Sequence, residues 1–139
     1  MQSTLQTPVQ TTTHQTQSPM TATLYQRLGE AEGIARLVDD VVAAHLVNPL
    51  IKTRFEQIKD MAHTKQLVRE FFTAGSGGPS SYTGKGMLAA HKGMNISEQE
   101  YLAAMDDIVG AMNKNRIDED SKKDVLAILY SLKEQIIRV

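Results

Sequence analysis

The chain reads as an all-α protein on three observations. Helix start signals recur along it, apolar residues return at three-and-four spacing, and no stretch shows convincing strand alternation. At 139 residues it is sized for one domain with one sizeable core. Residues 1–22 stand apart: five glutamines, seven threonines and no Asp, Glu, Lys or Arg leave too little apolar surface to offset ordering entropy. The expected organisation is a disordered polar tail over 1–22, which carries His14, followed by a folded domain over 23–139.

The elements follow in order. Thr23-Leu24-Tyr25-Gln26 fits a capping box, in which the threonine hydroxyl and the glutamine amide satisfy free N–H groups at a helix start. Gly29 and Gly33 are expected to separate that short helix from the next. Ile34, Leu37, Val38, Val41, Val42, His45 and Leu46 then form one amphipathic stripe, interrupted by Asn48-Pro49 because proline disfavours a helical residue before it. Residues 50–55 predict a short turn or helix. Asp60 can cap a helix bearing Met61, Thr64, Val68, Phe71 and Phe72, with Leu67 beside them. Gly75, Gly77, Gly78, Gly84 and Gly86 mark a loop, and 87–92 a short helix ended by Gly93. Ser97-Glu98-Gln99-Glu100 is a second capping box, opening a helix with Tyr101, Met105, Ile108 and Met112 on one face. The last helix is expected to start near Asp118 and to align Val125, Leu129, Leu132 and Ile136.

Composition narrows the function classes. Fifteen Lys and Arg stand against sixteen Asp and Glu with no block of like charge, which argues against a nucleic-acid or anionic-membrane surface. There are no cysteines, which excludes disulfides, thiolate metal sites and covalent haem attachment through CxxCH. No apolar run approaches a membrane span and no signal-peptide pattern opens the chain, so a cytoplasmic location is expected. The glycine-rich stretch ending at Lys85 is not a phosphate cradle: no strand precedes it, no GK[ST] closes it, and Pro79 removes an N–H.

His91 is the residue that points to chemistry. It sits among Met87, Leu88, Ala90, Met94 and Ile96, after a loop that lets a short helix swing away and leave a flat slot. An imidazole there can serve as axial ligand to a haem, whose porphyrin fills the other in-plane positions. Such a histidine donates its second ring N–H to a neighbouring acceptor, and a backbone carbonyl near Met87 or Leu88 is in reach. The competing reading is a hydrogen-bonded core or surface histidine with no metal. His63 is expected to point to solvent and His45 to be packed or half-buried. No HxxxH or HExxH spacing supports a zinc site.

These residues resemble the truncated haemoglobins, in particular the group 1 type of bacteria and protists. The resemblance runs from Thr23 to Val139. It is carried by Leu24-Tyr25 with Leu28-Gly29, Val38-Asp39-Asp40, Asp60-Met61, Glu70-Phe71-Phe72, Gly77-Gly78-Pro79 with Tyr82 and Gly84, then Met87, Ala90-His91 and Asn95-Ile96. It implies a globin-like two-over-two helical sandwich and a haem b (iron protoporphyrin IX) cofactor. By position, His91 matches the iron ligand and Phe55 the phenylalanine packed on the haem face. Thr64, Leu67 and Val68 match the distal side. Phe72, Met87, Met94, Ile96 and Tyr101 complete the expected haem contacts.

The departures from the family pattern bear on chemistry. Val42 stands where relatives commonly place a tyrosine, and Thr64 and Val68 where they often have glutamine. Leu67 stands where some relatives have an iron-binding histidine. The segment from Phe55 to Asp60 is one residue longer than usual, a slip that could bring His63 inward. Dioxygen at ferrous iron is polarised, so a pocket short of donors implies weaker hold on it. The resemblance implies reversible binding of a diatomic gas (O2, CO or NO) by a carrier, store or sensing module. The alternative is a nitric oxide dioxygenase, which would need a reductase partner. A helical interaction module without cofactor is the third reading.

Overall fold

A computed structural model describes residues 22–139. The expected tail therefore lies outside the described residues except for Ala22, whose carbonyl accepts from Arg27 Nε. The described chain is helical: α1 Leu24–Arg27, α2 Glu30–Val47, α3 Lys52–Glu56, α4 Met61–Gly75, α5 Met87–His91, α6 Glu98–Lys114 and α7 Glu119–Ser131. A single turn of 3-10 helix, Lys133–Gln135, follows α7.

Helix starts are set by local side-chain chemistry. Thr23 and Ser97 each form the full capping box, while the carboxylates of Asp60 and Asp118 accept from the N–H groups of His63 and Ser121. Gly29, at φ 96°, separates α1 from α2. Gly33 does not separate them, because α2 already begins at Glu30. A Cβ at Gly33 would lie 2.2 Å from the Leu28 carbonyl oxygen, so this glycine serves the close approach of the two segments.

The core forms where α2 crosses the other layers. Ile34, Leu37, Val38, Val41 and Val42 of α2 are buried with Phe72 of α4, Ile108, Ala111 and Met112 of α6 and Val125 of α7. α2 packs against both α4 and α6, and α6 against α7. Pairs of helices thus lie across one another in a two-over-two sandwich, the expected fold.

The C-terminal segment departs from expectation. α7 stops at Ser131 rather than continuing to Ile136. The chain turns, and Ile137 forms a lone parallel bridge with Ile96, where Arg138 N–H donates to the Ile96 carbonyl. The Val139 carbonyl accepts from the N–H groups of Gly93 and Asn95 at 3.1 and 3.0 Å. An apolar helical period that runs past a helix end cannot distinguish a longer helix from a strap that turns back on the core.

Candidate functional site

α5 is only five residues long, and a loop on each side frees it from the helical layers. Lys92 ends it in an extended conformation, and Gly93 follows at φ 91°, the left-handed turn expected there. His91 therefore stands at the end of a short arm. Its Nδ1 lies 2.8 Å from the Met87 carbonyl, which fixes Nδ1 as the donor and leaves Nε2 available to a ligand.

His91 lines a cleft enclosing about 1050 Å³ of space, its open mouth included. Ile51, Ile58, Met94, Ile96 and Ile136 supply apolar wall, together with Phe55, Ala104 and the ring of Tyr101. Tyr101 hydroxyl donates to the Leu129 carbonyl at 2.5 Å, so its polar end is anchored, and burial raises its pKa. A neighbouring cleft shares Ala90 and is lined by His63, Leu67, Tyr82, Thr83, Gly84 and Lys85.

The expected site residues divide on inspection. His91, Phe55, Thr64, Met94, Ile96 and Tyr101 line the main cleft, and Leu67 lines the adjoining one with His63. Met87 contributes its backbone carbonyl, the partner of His91 Nδ1. Val68 packs against the core, and Phe72 is buried within it beside a small apolar cavity shared with Leu24, Leu28 and Val125. Thr64 hydroxyl, the expected distal donor, donates to the Asp60 carbonyl at 3.1 Å.

Three polar residues of the cleft escaped sequence reading as site residues. His45 is 6 % exposed, stacks on Phe55 with ring centroids 4.6 Å apart, and hydrogen-bonds Asp107. Arg54 pairs with Glu100 through Nε at 2.5 Å and through its second guanidinium nitrogen at 3.0 Å. The Arg54 guanidinium, then the Ser97 N–H, hold the Glu100 carboxyl at about 2. The partners of each pair lie far apart in sequence, so no spacing reveals them.

The chemistry of this donor set suits a haem. An anchored imidazole with one uncommitted nitrogen, set in the wall of a largely apolar cleft, meets the needs of a haem that a histidine would hold. Among the described residues, no three His, Asp or Glu side chains cluster as a protein-only metal site would require.

A family model described as "Bacterial-like globin" matches residues 23–138. The chain belongs to the bacterial-like globins. Proteins of the globin family bind haem. This globin is similar to a group 1 truncated haemoglobin of Tetrahymena pyriformis, at 27% identity over 75% of this chain and 94% of the relative. A group 1 truncated haemoglobin of Synechocystis sp. is also 27% identical, over 77% of this chain and 89% of its own. The crystal structure of truncated haemoglobin from T. pyriformis in the Fe(III) form matches with a TM-score of 0.81 at 23% identity, covering 85% of this chain and 100% of that one. The 2/2 haemoglobin from Synechococcus sp. matches at 0.73 and 25% identity, over 82% and 95% of the two chains. Among the described residues no helix is long and apolar enough to cross a membrane.

Proposed function

We propose that this globin holds haem b through His91 and reversibly binds a diatomic gas, O2, CO or NO, as a carrier, store or gas-responsive module. The observation that carries the reading is the His91 imidazole, lining the cleft with Nδ1 tied to the Met87 carbonyl at 2.8 Å. A haem bound there supplies an iron with one further coordination position for the gas. With no cysteine in the chain, the cofactor is held without a thioether link.

Each residue has a task within this reading. Met87 carbonyl orients the His91 ring and raises its basicity through the Nδ1 hydrogen. Phe55, Met94, Ile96 and Tyr101 exclude water from the two faces of the macrocycle. Leu67 closes the adjoining cleft as an apolar group, where a ligating side chain would compete with the gas. Thr64 shapes the wall but has committed its hydrogen to the helix backbone.

Reconstituting the chain with haem tests the proposal. The expected result is a Soret band that shifts on reduction and again on adding CO. In His91→Gly the band is lost or strongly altered, and free imidazole restores it. A colourless preparation despite excess haem, or a spectrum indifferent to His91→Gly, would overturn the reading. Quantitative conversion of NO to nitrate by the oxygenated ferrous protein would move the assignment to a dioxygenase.

A further inference from the structure

Val42, where the family pattern would put a tyrosine, is buried in the core. One turn further along α2, His45 is the polar residue that this helix brings to the cleft. Its Nδ1 lies 2.8 Å from Asp107 Oδ2, and the Asn48 side-chain amide donates to both oxygens of that carboxylate at 3.1 Å. The stack on Phe55 fixes the plane of the ring. Among the described residues His45 Nε2 has no hydrogen-bond partner, and no side-chain nitrogen or oxygen sealed from solvent lacks one. Nε2 is therefore reached by solvent although the side chain is only 8% exposed, and His45 is part of the cleft wall.

Asp107 decides the tautomer. An ionised carboxylate only accepts, so the hydrogen sits on Nδ1 and the neutral ring presents a bare lone pair at Nε2. Burial favours that neutral form, with Asp107 pulling the other way. The other charged or titratable groups on the cleft wall are Arg54 and Glu100, paired with each other, together with Tyr101 and His91. A lone pair on the wall of a largely apolar cleft repels the negative outer atom of polarised dioxygen and attracts a hydrogen.

We propose that His45 sets the ligand preference of this pocket, accepting at Nε2 the hydrogen of a protic ligand such as water, hydrogen sulfide or hydrogen cyanide. With hydrogen cyanide the H–C bond breaks, the proton passes to Nε2, and carbon keeps the electron pair with which it binds metal. Nothing is oxidised or reduced. The inference rests on the haem reading and deepens it.

The test compares two ligands of the ferric, haem-loaded chain: cyanide, which is protonated at neutral pH, and nitric oxide, which has no proton to give. In His45→Leu, cyanide association falls by about tenfold or more, the effect of losing a hydrogen bond to a developing charge. Nitric oxide association stays as in the parent. Asp107→Asn keeps the ring but frees its tautomer, and lowers the cyanide-to-nitric-oxide ratio in the same direction. If either variant folds, binds haem and retains the parent ratio, the proposal is overturned. A low-spin ferric spectrum that turns high-spin in His45→Leu would make His45 an iron ligand instead, and overturn it too. A Soret band that depends on His91 shows that the haem reading survives either failure. A chain that takes up no haem overturns both.

Discussion

Thr64 illustrates how a side chain can face a pocket without serving it. Its hydroxyl donates to the carbonyl of Asp60, the residue that caps α4, the local bond a helical threonine readily makes. A glutamine at the same place carries its amide beyond that carbonyl and into the cleft. Thr64→Gln is therefore expected to slow O2 release by roughly tenfold, the effect of one added bond to a polarised oxygen. Displacement of O2 by CO in a stopped-flow instrument measures it, and an unchanged rate would show that α4 does not face the gas. Val42→Tyr is a different experiment. Val42 is only 5% exposed within the core, so a ring added there is expected to overpack it and cost about 1–3 kcal/mol in thermal stability.

At the scale of elements, Gly33 sets two forces against each other. Alanine is the better helix former by about 1 kcal/mol. Its Cβ at position 33 would come within 2.2 Å of the Leu28 carbonyl oxygen, backbone that cannot step aside cheaply. Overpacking wins, and Gly33→Ala is expected to lower stability by about 2 kcal/mol in a denaturant titration. A more stable variant would mean that α1 and α2 can slide apart. Features such as the starts at Thr23, Asp60, Ser97 and Asp118 are legible in sequence because a cap and its target lie three residues apart. The His91–Met87 hydrogen bond was legible for a similar reason, its acceptor being one turn behind the ring on the same short helix. His45 was not, since its partner Asp107 lies 62 residues away and only α2 packing on α6 joins them. Gly33 and the end of α7 misled for the same cause: composition records what a residue tolerates, and tertiary packing decides how it is used.

Across the whole molecule, α2 is the hub, and the cleft opens where α3 and the start of α6 approach one another. The Arg54–Glu100 pair spans that approach, and the same Glu100 carboxylate accepts from Ser97 N–H to cap α6. Helix start and inter-element tie thus depend on one ionised group. Its folded pKa, about 2, lies below the ordinary 4.5, so the folded state binds its proton less readily than the unfolded one. The stabilisation is complete above pH 4.5 and drains away as pH falls toward about 2. Acid unfolding followed by circular dichroism should show the loss across that window, and Glu100→Gln should flatten it. A parent and variant with the same acid limb would show that the pair is not coupled to folding.

The strap formed by residues 136–139 makes the far end of the fold a support for the arm that carries His91. Gly93 and Asn95, immediately after the iron-binding candidate, are hydrogen-bonded to Val139, and Ile136 is part of the same wall. Clipping these last residues would therefore release the turn that follows His91, and a trimmed sample is expected to lose protection of the Gly93 and Asn95 amides from hydrogen exchange.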